Sequence, residues 1–544
     1  MSDALRQRAA DWLAQDPDPQ TRAQLQAWLD GQDPAEFADA FAADLEFGTA
    51  GLRGKLGPGP NRMNRVVVMR AAAGLAAYLK QQGVGPEASV VIGYDARHNS
   101  DVFARDTAEV LSGAGLRALV LPRPLPTPVL AFAILELGCA SGVMVTASHN
   151  PPQDNGYKVY LGDGSQIVPP ADVEIAAAIR AVGDVTTLVK GNGGELLGEE
   201  TIDRYYESVL TCVGDGPRAL KIVYTPLHGV GGAATVELLQ RAGFAAPHVV
   251  PAQAEPDPDF PTVSFPNPEE PGAMDQAMAL AEEVGADLVV ANDPDADRCA
   301  VALPGPHGWQ MLRGDEVGAI LAHHLLTLPR EGVYAASIVS SSLLGKMARA
   351  HGQQHAETLT GFKWIGRLDN LAFGYEEALG YCVDPTRVKD KDGLSALLML
   401  CSIAASQKAH GLTLRDLLDD LAYDFGLHAT DQLSVRMADI PQIGAVVERL
   451  RARPPTSLGG LAVTGVDDLS QGYAGLPPTT GLRFTLTHDA RVIVRPSGTE
   501  PKIKCYLEVV IPVEADVDAA RINAVGRLDA ISEDLQVAAG LRPN

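Results

Sequence analysis

The chain has 544 residues, room for three or four domains at roughly 150 residues each. Hydrophobic residues make up 46% and charged residues 21%, the balance of a soluble globular protein that buries large cores. The formal net charge of −24 repels nucleic acid and anionic lipid, so neither is expected as a partner, and any phosphate site must gather its positive charge locally.

Cys139, Cys212, Cys299, Cys382, Cys401 and Cys505 show no zinc-ligand or redox spacing and read as reduced thiols. The first residues carry charges throughout and lack an apolar signal core, and no apolar run is long enough to span a bilayer. A cytoplasmic protein is expected. Residues 1–45 read as a helical extension, with Leu25, Trp28 and Leu29 at helical spacing. Three α/β domains then follow at 46–215, 216–328 and 329–438. The first opens with the strand Ser89–Tyr94 and closes with Gly142–Thr146. The second opens with Lys221–Thr225 and closes with Asp287–Ala291. The third opens with Val333–Ser340 and closes with Leu371–Phe373. Apolar strands alternate with amphipathic helices, the pattern of a mixed or parallel sheet covered on both faces. Residues 439–544 read as a smaller α+β domain with the strands Leu482–Thr487, Arg491–Arg495 and Ile503–Val510.

Each α/β domain ends a buried strand in an unusual polar loop, and ligands of open α/β sheets gather at such strand ends. In the first, TASHNPP places Ser148 at a tight turn where its hydroxyl can face a ligand; a serine that caps a helix or closes a turn is the plainer reading. His149 beside it can donate to a phosphate oxygen. Lys158, on a following strand, could exchange a proton with a sugar hydroxyl if nearby positive charge lowered its pKa.

In the second domain Asp293, Asp295 and Asp297 stand at i, i+2 and i+4 in DPDADR. Their mutual repulsion is relieved by a hard divalent cation, although an acidic loop alone would show the same residues. The glycine and glutamate offsets of a calcium EF-hand are missing. Arg298 can fork onto phosphate oxygens. In the third domain Glu376 and Glu377 of GYEEALGY can accept hydrogen bonds from sugar hydroxyls. In the fourth, Arg495, Ser497, Gly498 and Thr499 of RPSGTEPK suit a distal, non-reacting phosphate.

In this order the motifs, with FGTAGLRG at 47–54 and Thr360-Gly361-Phe362-Lys363, resemble the α-D-phosphohexomutase superfamily over about residues 47–502. The resemblance implies three similar mixed-sheet α/β domains and a smaller C-terminal α+β domain around a central cleft. It implies a phosphosugar mutase in which Ser148 is the phosphoserine and Lys158 the general acid/base, with Arg53, His149 and Arg298 as the cationic surround. Ser148, Asp293, Asp295 and Asp297 match the Mg²⁺ ligands, and a sugar bisphosphate would be the activator. Thr360, Gly361, Lys363, Glu376, Lys389, Arg495, Ser497, Gly498 and Thr499 match substrate-binding positions. Ala378 stands where many hexose-phosphate mutases carry a serine; with NRMN at 61–64 and KDKDG at 389–393, this looks like the longer branch acting on glucose and pentose phosphates. Glucose 1-phosphate is the expected substrate, with pentose or mannose phosphates as alternatives. An aspartyl-phosphate phosphatase built on Asp293 would leave Ser148, Lys158 and the RPSGTEPK loop without a purpose, and a sugar-phosphate sensor would have no need for the complete Ser, Lys and Asp apparatus.

Overall fold

A computed structural model describes residues 3–48, 51–437, 440–497 and 502–541. Two compact units emerge, and neither follows chain order. One comprises residues 1–312 with 380–409, the other 313–379 with 410–544. Among the described residues, no helix is long and apolar enough to cross a membrane.

In the first unit, helices Asp3–Gln15, Pro19–Leu29 and Pro34–Ala40 bury Trp12, Leu25, Trp28, Phe37 and Phe41 in the same core as strand Ser89–Tyr94. The first sheet runs in the order Leu52–Lys55, Asp154–Leu161, Ser141–Val145, Ser89–Tyr94, Arg117–Val120, Glu195–Leu196. Asp154–Leu161 is antiparallel to both neighbours, while the remaining pairs are parallel. A one-residue slip would turn every side chain of that strand to the other face. The register Met144↔Lys158 and Leu52↔Tyr157 therefore settles where Lys158 points. Gly51 enters the edge strand at φ +82°, and a Cβ there would lie 1.9 Å from the Tyr157 carbonyl oxygen, so only glycine lets the strand bearing Arg53 close on its neighbour. The second sheet places Leu288–Ala291 beside Ile222–Thr225 in parallel, with the hairpin Ala300–Gly305 and Gly308–Met311 at one edge.

In the second unit, Val333–Ser337 pairs in parallel with Gln354–Thr358 and Leu371–Glu376. The strand expected to reach Ser340 stops at Ser337, because the chain turns there: the Ser340 N–H donates to the Ser337 carbonyl at 3.0 Å. The last sheet is antiparallel, with Leu427–Arg436, Lys502–Ile511, Arg491–Pro496, Leu482–Leu486 and Leu461–Asp468 in that order. The long helix Val517–Ala539 covers it. That helix is capped by the Asp516 carboxylate, which accepts from the Asp518 and Ala519 N–H groups, and it buries Ala524, Leu528, Ile531 and Leu535.

Candidate active site

Two loops of the first unit meet. Ser148 sits just past strand Ser141–Val145 at φ 52°, and Ala296 sits inside the acidic loop at φ 54°. Left-handed backbone at a residue with a Cβ costs about 1–2 kcal/mol, and such conformations concentrate where function holds them. The serine loop is held by Arg97. Its guanidinium donates to the carbonyls of Ser148 at 2.6 Å, Asn150 at 2.5 Å, Pro151 at 2.9 Å and Asp154 at 3.2 Å. Asp95 balances Arg97 at 3.4 Å, both side chains being buried. The Ser148 hydroxyl donates to Asp293 Oδ2 at 2.7 Å and lies 3.1 Å from His149 Nδ1.

Asp293, Asp295 and Asp297 are at most 1% exposed, and one oxygen from each falls within 4.8 Å of the others. Lys158 Nζ donates to Asp295 Oδ2 at 2.8 Å and Asp297 Oδ2 at 2.9 Å. Thr127 donates to Asp295 Oδ2 at 2.7 Å. Lys391 Nζ reaches Asp297 Oδ2 at 3.3 Å, and Arg298 Nε lies 3.9 Å from Asp293 and 3.8 Å from Asp297. Burial, and then the charges of Asp295 and Asp297, pushes Asp293 well above the usual carboxylate range. Asp295 Oδ1 and Asp297 Oδ1 are buried without a hydrogen-bond partner. Oxygen donors that repel one another and keep two unused buried lone-pair sites fit a hard divalent cation. The charges fit as well. Three carboxylates face Lys158, Lys391 and Arg298, so a dication and a phosphoserine of nearly two negative charges would leave the balance unchanged.

Two expectations are corrected here. Burial disfavours a charged Lys158, but the carboxylates of Asp295 and Asp297 outweigh it, and the pKa is raised rather than lowered. Burial, with Arg298 and Arg53 close by, pushes His149 well below the usual imidazole range, which favours a neutral hydrogen-bonding ring beside Ser148 over a cationic one. Arg53 Nη1 donates to Asn150 Oδ1 at 3.1 Å, which places it beside the serine loop. Lys389 is half-buried, and the lysine of its run that reaches the triad is Lys391. Sequence reasoning did not single out Lys391, Thr127 or Arg97. Asp390 secures the Lys391 loop by accepting from Tyr160 Oη at 2.7 Å and Gln166 Nε2 at 2.6 Å. Gly393 opens the next helix so close to the acidic loop that a Cβ would lie 2.3 Å from the Arg298 carbonyl oxygen.

In the second unit Glu376 Oε1 accepts from the Gly361 N–H at 2.9 Å, which joins the glutamate loop to the Thr360–Lys363 turn. Glu377 is corrected: its Oε2 accepts from Ser337 at 3.0 Å and Ser340 at 3.2 Å, so its carboxylate anchors the loop. Arg495 is the penultimate residue of strand Arg491–Pro496, and Ser497 follows the strand with its N–H on the Lys502 carbonyl at 2.8 Å. Gly498 and Thr499 lie outside the described residues.

Asp315, buried at the start of helix Gly314–Thr327, accepts from the Ser341 N–H at 2.7 Å and Tyr375 Oη at 2.9 Å. Burial pushes its carboxyl up to about 6 from 3.8. A raised folded-state pKa stabilises below the unfolded value and loses that contribution as pH rises through the folded one. Asp315→Asn keeps the accepting Oδ1 and carries no charge. Its stability advantage over wild type, read as a higher Tm, is expected to open between about pH 4 and 6 and stay flat above, at up to about 3 kcal/mol. Thermal melts at pH 4 and 7.5 that differ equally between the two proteins would contradict this.

A serine hydroxyl against a buried carboxylate triad, on three α/β sheets followed by an antiparallel domain, is the equipment of a phosphoryl-transfer enzyme. Sequence models of the phosphoglucomutase/phosphomannomutase family match the chain in succession: alpha/beta/alpha domain I at residues 44–185, domain II at 203–305, domain III at 313–425 and the C-terminal domain at 435–524. The chain belongs to this family and is a sugar-phosphate mutase of the phosphohexomutase type. It is 48% identical to a probable phosphomannomutase of Haemophilus influenzae over 82% of this chain and 93% of that one. It is 36% identical to a probable phosphoribomutase of Schizosaccharomyces pombe over 93% and 94%, and 35% identical to a phosphoglucomutase of Staphylococcus aureus over 91% and 94%. Among solved structures, a putative phosphomannomutase from Thermus thermophilus superposes with a TM-score of 0.72 at 26% identity, over 91% of this chain and 99% of that one.

Proposed function

We propose that the enzyme interconverts glucose 1-phosphate and glucose 6-phosphate through phospho-Ser148 and a bisphosphorylated sugar, and that it also accepts a pentose 1-phosphate. The observation that carries this is the Ser148 hydroxyl 2.7 Å from Asp293 in a triad that also holds Lys158. In the forward half-reaction a sugar hydroxyl oxygen bonds to the phosphorus of phospho-Ser148 as the P–Oγ bond breaks. The hydroxyl proton ends on Ser148 Oγ, and Lys158 relays it. After the bisphosphate turns over, the same exchange in reverse returns its other phosphoryl group to Ser148. Asp293, Asp295 and Asp297, with a phosphoryl oxygen on Ser148, would hold Mg²⁺, which would supply charge neutralisation when bound. Arg53 and Arg298 add positive charge at the phosphoryl, and positioning accounts for much of the rest. Glu376 accepts from a sugar hydroxyl, with Thr360, Gly361, Lys363 and Lys389 as further substrate contacts. Arg495, Ser497, Gly498 and Thr499 grip the distal phosphate. The domain plan proposed from the sequence divides at residues 45, 215, 328 and 438, while helix Gly314–Thr327 groups with the second compact unit and residues 380–409 with the first. The six cysteines form no disulfide, which suits a reducing, cytoplasmic setting.

The pentose activity is favoured by Ala378. Its missing hydroxyl removes one neutral contact, worth roughly 0.5–1.5 kcal/mol or about threefold to tenfold in preference. Relatives named for glucose, ribose and mannose phosphates make the comparison among these sugars the decisive one. The test measures kcat/KM for glucose, ribose and mannose 1-phosphates in wild type and Ala378→Ser, with a trace of sugar bisphosphate that should stimulate both. Ala378→Ser is expected to sharpen the hexose preference by that factor. A wild type confined to mannose phosphates refutes the glucose assignment, and unchanged ratios in Ala378→Ser refute the role of this loop.

A further inference from the structure

Strand Arg491–Pro496, which leads into the phosphate-binding segment, is joined to the loop that carries the glutamates by a continuous buried network. Arg491 and Glu508 are cross-strand partners in the last sheet, 6% and 2% exposed, with Nε 2.5 Å from Oε2. Both reach out of that sheet to the turn after Val333–Ser337. Arg491 donates to the Ile338 carbonyl at 3.3 Å, to the Ser340 carbonyl and to Glu357 at 3.3 Å. Glu508 Oε1 accepts from the Ser341 hydroxyl at 2.7 Å and the Ser342 N–H at 2.8 Å. Ile338 and Val339 of the turn pack with Leu469, Ile493 and Tyr506 in a separate buried cluster. From the other side the same turn holds the glutamate loop: Ser337 and Ser340 donate to Glu377, and the Glu377 N–H donates to Ser340 Oγ at 3.0 Å. Glu376 immediately precedes Glu377.

A surface ion pair needs no such arrangement. Two buried charges that draw most of their partners from one turn, with Glu357 beside Arg491 and His428 beside Glu508, are costly to leave half-made, and their geometry specifies one relative placement. We propose that Arg491 and Glu508 are positioning residues that fix the span between the phosphate-gripping strand and the sugar-recognising glutamate, and thereby set which length of sugar phosphate is accepted. The inference rests on the function proposed above. It goes beyond it by assigning size selection to residues remote from the substrate.

Arg491→Met combined with Glu508→Leu removes both charges together, which avoids stranding either one and leaves a foldable apolar pair. In this double variant KM for glucose 1-phosphate is expected to rise about tenfold while kcat falls less than about threefold, since the phosphoryl-transfer residues are untouched. The glucose-to-ribose ratio of kcat/KM should fall, and slow hydrolysis of phospho-Ser148 by water should keep its wild-type rate. Amide exchange at Ser341 and Ser342 should accelerate. Arg491→Lys, which keeps the charge but has a single donor head, should fall between the two. Three results would each overturn the proposal: KM and the sugar ratio within about twofold of wild type in a folded double variant, unchanged exchange at the turn, or equal losses in kcat and in hydrolysis. If the wild type turns over no sugar phosphate, the proposed function fails while the exchange measurement still decides whether the network holds the turn.

Discussion

Ser148→Ala is expected to lower kcat by at least about 10⁴-fold while the protein melts as the wild type does, because the proposed route passes entirely through one side-chain oxygen. The hydroxyl donates to Asp293 and touches His149, and no packing depends on it. Its loss removes a donor from a carboxylate that also accepts the Arg298 N–H at 3.1 Å, so the acidic loop keeps its shape. Intact-mass measurement should show one phosphoryl group on part of the wild-type population and none on the variant. Peptide mapping that placed a stable phosphate on another serine would defeat the assignment.

The second large effect concerns the triad. Dialysis against EDTA is expected to abolish turnover, with Mg²⁺ restoring it, and Asp295→Asn to cost on the order of 10²–10⁴-fold with weaker metal binding in a calorimetric titration. The argument is electrostatic. Asp295 is fully buried, one of its oxygens is engaged by Thr127 and Lys158, and the other has no hydrogen-bond partner. An asparagine keeps one oxygen but loses the charge that a dication answers. Full activity in excess EDTA after exhaustive dialysis would end this reading.

The parts of the site that were legible in the sequence are those written in consecutive residues at the end of an apolar strand. Ser148 after Ser141–Val145 and the triad after Leu288–Ala291 are of this kind, and so is Lys158, which the antiparallel register brings back beside Met144. Lys391, Thr127 and Arg97 come from elsewhere in the chain, and spacing carries no signal for partners 51 to 168 residues away. Glu377 had a local signal. Successive residues at a strand end face opposite ways, so Glu376, which ends Leu371–Glu376, and Glu377 after it do not serve one ligand. The charge states of His149 and Lys158 were not legible, because each depends on the sum of burial and neighbours that only the assembled loops define. The fold class was readable from strand and helix alternation. The return of residues 380–409 to the first unit was not, since the helix Gly393–Ala409 is apolar on every side and could be buried anywhere.

That return has a bearing on synthesis. Helix Gly393–Ala409 packs on helices Glu200–Leu210 and Gly231–Arg241, Asp392 accepts the Tyr205 hydroxyl at 2.8 Å, and Lys391 supplies one of the cations around Asp297. A ribosome that has released residue 312 has therefore not yet delivered everything the first unit is made of. Until the stretch through Ala409 emerges, the sheets can form but Tyr205 lacks its acceptor and the acidic loop lacks a counter-charge. Completion of the first unit is thus timed by a segment encoded beyond Glu377, so residues 313–379 emerge before the first unit is whole, while their own unit still awaits residues 410–544.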